Sequence, residues 1–417
     1  MNNHSEKIHH SLFIIPRVML TKRAFILLIF ALILYLLANQ TQVGWVYLMS
    51  NLLLALLVVD FFYGRGILQG VRLERTVRDL NRTDLRDDAL PETGDFFEDD
   101  AVEVTLQLEQ TRLRPAFLIA GQEQCPFAPP ADQIQPFFVP SLFRGRPVRL
   151  NYQTQCDRRG VHRFPELPLQ SNGAFGLFRR RRTLPASESL LIYPQFHPLK
   201  RLRLLEHRGF TDRPSHRAGH GSEIIGTREY RSGDSLRHIH WRSTARVGSL
   251  VVKELSDQAQ LTMTVVLDLS FEGNVGEGKF STFETALRLA ATFGYYAAHK
   301  TLPFRLIGHS PQWRPPTTAL SWWGTLNYLA KVENDGREPL AEVLRSLPRL
   351  PFVIVLISRP DPLMNQALMQ LNRQNTQILA VFITPDDSQP AVLPASSPSL
   401  TICTVSPHNW PTVVAAL

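Results

Sequence analysis

Two closely spaced apolar stretches mark the N-terminal part of the chain. The first, Ala24–Ala38, carries no charge, and the second, Val43–Val59, is interrupted only by Ser50 and Asn51. A helix of roughly 20 residues spans the hydrocarbon of a bilayer, so the pair predicts a transmembrane helical hairpin over residues 24–63. Two alternatives stay open: the short first stretch also suits the core of a secretory signal, and a soluble protein can bury such a hairpin.

Charged residues give the predicted hairpin an orientation. Lys22 and Arg23 precede it and Arg65 follows it, whereas the connecting turn Asn39–Gln42 carries no charge. The positive-inside rule therefore places both termini in the cytoplasm, which makes residues 1–23 a cytoplasmic tail. The three cysteines are widely spaced and odd in number, so they suggest no disulfide framework.

Residues 71–200 have the pattern of short strands. Four segments either alternate apolar and polar side chains or are short apolar runs: Val102–Leu108, Ala116–Ala120, Val148–Tyr152 and Ser189–Tyr193. Short strands with frequent turn residues between them predict a small antiparallel β-sandwich. The proline-rich stretches Pro126–Pro140 and Pro390–Pro398 are expected to lack regular structure.

A different rhythm begins at about residue 261 and continues to residue 417. Thr262–Leu269 is a continuous apolar run, and Ser281 with Glu284 forms the capping box of a following amphipathic helix. Further apolar runs alternate with helical patterns to the end of the chain. Buried strands that alternate with helices predict a doubly wound α/β domain with a parallel sheet.

Composition agrees with this division and excludes several function classes. A chain of 417 residues with 44% hydrophobic and 20% charged residues is globular and long enough for two soluble domains beside the hairpin. It contains no P-loop, GxGxxG, GxSxG or HExxH motif, so nucleotide chemistry and the commoner hydrolases lack support. The run Arg179–Arg182 lacks the aromatic interleaving of a nucleic-acid site, which leaves attraction to anionic headgroups or a solvated loop.

The most distinctive stretch is Gly219–Gln258, which joins the two predicted domains. Its signature residues are Glu223, Arg228, Glu229, Tyr230, Gly233, Asp234, Arg237, Trp241 and Arg246. In this order and spacing they resemble the signature of the bacterial domain of unknown function 58 family. Asp157–Gly160, Phe175–Phe178 and Ile192–Pro194 are similar to that family's upstream β region.

The resemblance carries several expectations. It implies two N-terminal membrane helices and a C-terminal domain similar to von Willebrand factor A domains, here residues 261–417. It implies a multi-pass protein of the bacterial inner membrane with its soluble domains in the cytoplasm. It also implies a protein partner, a MoxR-type AAA+ ATPase, and it implies no enzymatic reaction.

Two interpretations of the signature remain open. In the structural one, Gly233 and Asp234 form a turn, arginines pair with carboxylates, and Trp241 plugs the interface between the domains. In the functional one, the arginines face outward as a docking or anion-binding surface. His238 and His240 could share a face, but no acidic or cysteine partner stands at a recognised zinc spacing.

The resemblance to von Willebrand factor A domains also suggests a candidate metal site. The metal-binding kind has Asp-x-Ser-x-Ser after the first strand, which suits Mg²⁺ because this ion prefers hard oxygen ligands. Asp268 and Ser270 match that motif, and Glu272 stands where the second serine is expected. Thr317 or Thr318 could supply a threonine ligand. Asp361 is a further candidate, although its place before Pro362 equally predicts a helix N-cap.

The leading functional hypothesis is therefore a non-catalytic, membrane-tethered interaction or scaffold protein that works with a MoxR-type ATPase, with the degenerate metal-ion-dependent site as a candidate contact. A metal-dependent hydrolase that uses Asp268, Glu272 and neighbouring histidines is one alternative. A purely structural membrane scaffold is the other. No nucleic-acid partner and no small-molecule substrate are predicted.

Overall fold

The computed structural model describes residues 19–80, 96–185, 188–202, 205, 224–232, 234–255, 262–311, 314–374, 376–386 and 397–417. The chain divides into two compact units, Met1–Ile192 and Tyr193–Leu417. Of the signature residues, Glu223 and Gly233 lie outside the described part, as do the N-terminal tail to residue 18 and most of Pro390–Pro398.

The first unit begins with a helical hairpin. A short strand β1 (Met19–Leu20) leads into α1 (Lys22–Thr41), and α2 (Gly44–Tyr63) follows after two residues. The first apolar stretch therefore belongs to a helix of 20 residues, about 30 Å long, and is not too short to cross a bilayer. Small side chains line the contact between the helices, because Ala24, Ala31 and Ala38 are fully buried at a seven-residue spacing.

Large apolar side chains cover the rest of the hairpin surface. Ile26 is 65% exposed, Leu36 58% and Trp45 71%. Both helices are long and apolar enough to cross a membrane. A hairpin buried in the core of a soluble protein would have these side chains covered, so this alternative does not describe the structure.

Antiparallel sheets make up the remainder of the first unit. Its strands are β2 (Val71–Asp79), β3 (Phe96–Phe97), β4 (Ala101–Gln110), β5 (Ala116–Gln124), β6 (Ile134–Leu142), β7 (Val148–Gln155), β8 (Gly160–Arg163), β9 (Leu167–Ser171), β10 (Phe178–Leu184) and β11 (Ser189–Tyr193). Three sheets have the strand orders β1-β10-β9-β5-β6, β2-β4-β7 and β3-β11-β8. One apolar cluster joins residues of the first two, among them Val71, Leu108, Ile119 and Leu169.

Two sequence expectations are wrong in this region. The stretch Pro126–Pro140 does not lack structure, because its second half forms β6, an edge strand where prolines need not donate to a neighbour. The run Arg179–Arg182 is not a solvated loop. It lies within β10, and the side chain of Arg180 is buried.

The second unit contains the signature segment and a parallel sheet. The signature includes β12 (Ile224–Glu229), α3 (Trp241–Val247) and β13 (Val251–Leu255), with β12 and β13 paired antiparallel. The later elements are β14 (Met263–Leu267), α4 (Thr282–His299), β15 (Phe304–Ile307), α5 (Trp322–Lys331), α6 (Leu340–Arg345), β16 (Phe352–Ile357), α7 (Pro362–Arg373), β17 (Gln377–Ile383), β18 (Leu400–Val405) and α8 (Trp410–Ala416).

The parallel sheet has the strand order β15-β14-β16-β17-β18. Residues of α6 and α7 share an apolar cluster with alternate residues of β16 and β17, while α4 contacts β14, β15 and β17. The sheet is thus covered by helices, as the continuous apolar runs predict. The N-cap part of the predicted capping box is confirmed: the Ser281 hydroxyl accepts from the Glu284 N–H at 3.2 Å. At the coarse level, two apolar helices followed by α+β content in several sheets agree with the expected class.

Candidate functional site

The signature segment is a compact substructure on the paired strands β12 and β13. Tyr230 continues the pairing through its N–H, which donates to the carbonyl of Leu250 at 2.9 Å. The connection between the strands returns to them at Ile239, which is buried and bridges Val252. His240 then donates its N–H to the carbonyl of Val251 at 2.8 Å, and α3 begins at the next residue.

One ion pair fixes the turn after β12. The guanidinium of Arg228 donates to both carboxylate oxygens of Asp234, at 2.8 Å from Nη1 and 2.7 Å from Nη2. The N–H of Arg231 donates to the same carboxylate at 2.8 Å. These hydrogen bonds, first that of Arg228 and then that of Arg231, lower the pKa of Asp234 to about 2. This half of the signature therefore follows the structural interpretation, in which an arginine pairs with a carboxylate.

The other half of the signature faces solvent. Trp241 is 67% exposed, Leu236 66% and Val247 62%. Arg237, Arg242 and Arg246 are also exposed. The expectation that Trp241 plugs an interface is therefore wrong: the ring stands at the first position of α3, and this short surface helix buries none of its residues. We call Leu236, Arg237, Trp241, Arg242, Arg246 and Val247 the signature surface.

One of the two histidines of the signature segment has a structural role. The ring of His240 caps α3, with Nδ1 2.7 Å from the Ser243 hydroxyl and 3.2 Å from the Ser243 backbone nitrogen. Within the part of the chain that the structure describes, no three histidine, cysteine or acidic side chains are grouped so as to hold a metal ion. Glu229, another signature residue, is exposed at the end of β12.

A second site opens at the carboxyl ends of β14 and β16. These strands are neighbours, and the chain leaves β14 toward β15 on one side and later returns to β16 on the other. In open α/β sheets such a reversal leaves a crevice where ligands bind. Here it is a cleft of about 430 Å³, lined by residues that include Asp268, Ser270, Glu272, Arg359 and Asp361. All four predicted metal ligands therefore line one cleft.

Local geometry holds Asp268 and Ser270 in place. The N–H of Ser270 donates to Asp268 Oδ1 at 3.1 Å, and the Ser270 hydroxyl accepts from the N–H of Gly273 at 3.2 Å. Asp268 is buried, and this burial raises the pKa of its carboxyl group, while hydrogen bonds from Ser270 and Ser358 oppose the rise. A Cβ at Gly273 would lie 2.9 Å from Asp268 Oδ2, so a glycine is needed beside the carboxylate.

The other two candidate ligands are placed differently. Asp361 is the N-cap of α7, because its Oδ1 accepts from the N–H of Leu363 at 3.2 Å and Pro362 occupies the first helical position. The N-cap prediction for Asp361 is therefore confirmed. Glu272 is exposed. Thr317 and Thr318 are not among the residues that line the cleft.

These residues give a partial fit to Mg²⁺. Asp268 and Ser270 supply two adjacent hard oxygen ligands at the end of a buried strand, but the described carboxylates are not grouped for direct ligation by three of them. The metal prediction thus stays a prediction. The sequence analysis did not include Arg359, which follows β16 and lines the same cleft. The signal that could have found it is Asp361, two residues later, which was recognised because it follows the same strand.

Comparisons with known proteins bear on the signature. Residues 226–318 match the sequence model of a family described as protein of unknown function DUF58. The match begins in β12, contains α3, β14 and α4, and supports the resemblance to the domain of unknown function 58 family. No curated protein matches the chain.

Solved structures give weak likenesses only. The sporulation control protein Spo0M of Bacillus subtilis has 9% identity and a TM-score of 0.17, over 39% of this chain and 58% of that chain, so less than two thirds of its length is spanned. The GH20 exo-β-N-acetylglucosaminidase of Vibrio harveyi, crystallised with N-acetylglucosamine, has 8% identity and a TM-score of 0.20, over 76% and 78%. At these scores neither likeness carries an argument about fold or function.

Proposed function

We propose that the protein is a non-catalytic, membrane-tethered interaction protein whose signature surface docks a cytoplasmic protein partner. The observation that carries this proposal is the exposure of Trp241 beside three exposed arginines. Tryptophan and arginine are the residues that most often dominate the binding energy of protein interfaces. A tryptophan that is 67% exposed contributes little burial to the stability of the fold, which favours a role in binding.

The charge of the signature surface indicates an acidic partner. Arg242 and Arg246 are four residues apart and project from the same side of α3, and Arg237 precedes the helix. Asp234 does not neutralise them, because its carboxylate is engaged by Arg228. Cationic side chains around an apolar centre complement a partner surface with acidic groups around an apolar pocket. From the family resemblance, this partner is a MoxR-type AAA+ ATPase.

The membrane part of the proposal rests on the hairpin. Two adjacent helices with exposed apolar side chains and basic residues at their outer ends support a span with both termini in the cytoplasm of a bacterium. Residues 261–417 are proposed to be a von Willebrand factor A-like domain, and residues 71–200 a β-sandwich. The cleft at Asp268 is then a second contact, which Mg²⁺ would complete by offering a coordination position to a partner's carboxylate.

Affinity capture from solubilised membranes tests the proposal. The full-length protein is expected to recover an ATPase, and Trp241→Ala and the pair Arg242→Glu with Arg246→Glu are expected to lose most of it. Met369→Ala is the control, since Met369 is 43% exposed in the same unit and belongs neither to the signature surface nor to the cleft lining. Phe271→Ala probes the second contact, since Phe271 is 69% exposed and stands between the cleft residues Ser270 and Glu272. Equal capture of the ATPase by wild type and by both signature variants would contradict docking at the signature surface. Loss with Phe271→Ala alone would move the docking site to the cleft.

A further inference from the structure

The start of the hairpin is fixed against one turn of the β region. We call residues 172–177 the base turn. β1 pairs with β10, with Met19 opposite Arg179. The hydroxyl of Thr21, which caps α1, donates to the carbonyl of Gly176 at 3.0 Å, and the Thr21 N–H donates to that of Leu177 at 3.0 Å. The base turn therefore lies level with the first turn of α1.

The end of the hairpin is held at the same place. Arg180 Nη2 donates to the carbonyls of Asp60 and Phe61, at 3.1 and 2.8 Å, in the last turn of α2. The ring of Phe61 meets that of Phe178 edge to face, with centroids 5.4 Å apart. A guanidinium bound to the last carbonyls of a helix neutralises its negative end. Both cytoplasmic ends of the hairpin are thus attached to β10 and the base turn.

The base turn presents an aromatic side chain at its tip. Phe175 lies in the middle of the base turn and is 53% exposed. Gly173 and Gly176 have φ values of 73° and 74°, in the left-handed region, so the turn has a defined shape that carries Phe175 outward. Close by, Leu20 and Phe25 are also exposed and continue the apolar surface of the hairpin.

Cationic side chains surround this apolar surface. Lys22 and Arg23 are exposed in the first turn of α1. Arg23 Nη1 lies 3.9 Å from the point where a Cβ on Gly176 would be, so its guanidinium is beside the base turn. An exposed ring flanked by cations, at the level where a transmembrane helix begins, has the make-up of an interfacial membrane anchor.

We infer that the base turn is a lipid-binding anchor, with Phe175 inserted at the boundary of headgroups and acyl chains and with Lys22 and Arg23 bound to the phosphates of acidic phospholipids. The inference rests on the proposed membrane span of the hairpin and goes beyond it, because a span alone does not require that the base turn itself binds lipid. Contact through the base turn gives the β region one fixed orientation on the membrane.

Depth-dependent quenching in lipid nanodiscs tests the inference on the full chain. A single cysteine at position 175, from Phe175→Cys in a Cys403→Ser background, is labelled with an environment-sensitive fluorophore. Cys125 and Cys156 are buried, and burial raises the pKa of both thiols, so neither competes for the label. Val161→Cys, at a position 52% exposed in β8, is the matched control, and Ile33→Cys reports on the middle of α1.

The expected result is strong quenching of the label at position 175 by shallow nitroxide lipids and little quenching at position 161. This quenching is also expected to be stronger in discs with acidic lipid than in neutral discs, and Lys22→Gln with Arg23→Gln should remove the difference. Quenching at position 175 as weak as at 161, with deep quenching at 33 retained, would overturn the anchor and leave the span intact. Absence of deep quenching at 33 would overturn the span and the anchor together.

Discussion

Arg228 and Asp234, six residues apart, form a bidentate ion pair that closes the turn following β12. Both terminal nitrogens of the guanidinium, Nη1 and Nη2, and both carboxylate oxygens take part. Arg228 belongs to β12 and Asp234 to the segment that leads to α3, so the pair links the strand to the exposed part of the signature. Arg228 and Asp234 hold the backbone, and the exposed Arg237, Arg242 and Arg246 are the arginines that we propose to contact a partner.

Asp234→Asn is expected to loosen this turn in a pH-dependent way. The pKa of Asp234 is lowered to about 2 in the folded chain. An unfolded aspartate titrates at about 3.9. A lowered carboxyl pKa stabilises the fold above the unfolded value, and this stabilisation is lost as the pH falls through the folded value. Wild type should therefore exceed Asp234→Asn in stability at pH 5, and the difference should disappear between about pH 4 and pH 2.

Hydrogen exchange at the amide of Arg231 measures the same effect locally, because this N–H donates to Asp234. Exchange should be faster in Asp234→Asn than in wild type at pH 5. Arg349→Gln, at an exposed arginine in the same unit, serves as the control and should leave that amide unchanged. Equal exchange rates in all three proteins would show that the ion pair does not hold the turn.

Breaking a buried ion pair should destabilise the first unit. Arg75 Nε lies 2.7 Å from Glu123 Oε1, both side chains are almost fully buried, and Glu188 contacts Arg75 Nη1 at 2.9 Å. Removing one partner leaves a buried charge uncompensated, so Glu123→Ala should lower the free energy of unfolding by about 3–5 kcal/mol. Urea titration of the detergent-solubilised protein measures this.

The matched control is Glu74→Ala, which removes an exposed glutamate that accepts a hydrogen bond from Gln107 at 3.5 Å. Its effect should stay within about 0.5 kcal/mol, as for other surface substitutions. A similar small loss for Glu123→Ala would mean that Glu188 alone compensates Arg75.

The hydrophobic periodicity of the sequence predicted many helices and strands, because the face that each element buries determines where its apolar residues recur. The helix after Ser281 and the apolar strand Phe352–Ile357 follow from local patterns that the parallel sheet then buries. Pairing across the chain is not contained in any local window. Prolines within a strand are typical of a sheet edge, but nothing near Pro136 indicates which strand its strand pairs with. Nothing in the run Arg179–Arg182 indicates that Arg180 reaches the last turn of α2, 119 residues away.

The candidate site was also predicted only in its local part. Asp268 and Ser270 followed from a motif after a strand, and the parallel sheet brings them into one cleft with Arg359. Trp241 could not be placed from sequence, because an aromatic side chain beside paired charges fits a buried junction and an exposed docking surface equally well. Only the exposure of α3 separates the two.

Gly336 should be required for the shape of the cleft. Its N–H donates to the carbonyl of Leu269 at 2.9 Å, and a Cβ at Gly336 would lie 2.4 Å from that oxygen. Gly336→Ala must push the two backbones apart, at a cost of about 1–3 kcal/mol. Gly44→Ala is the control, because a Cβ there meets nothing within 4 Å. Thermal unfolding should separate the two variants, and equal melting temperatures would contradict the close approach.

Mg²⁺ is expected to stabilise the second unit through Asp268. A ligand that binds only the folded state raises the free energy of unfolding by mass action, by about 2.7 kcal/mol at a concentration one hundred times the Kd. Millimolar Mg²⁺ should therefore raise the melting temperature of wild type, and Asp268→Ala and Ser270→Ala should abolish this shift. Asp361→Asn should keep it, because asparagine can still cap α7. An unchanged melting temperature in wild type would exclude the metal site, whereas metal-dependent turnover that Asp268→Asn abolishes would favour the hydrolase alternative instead.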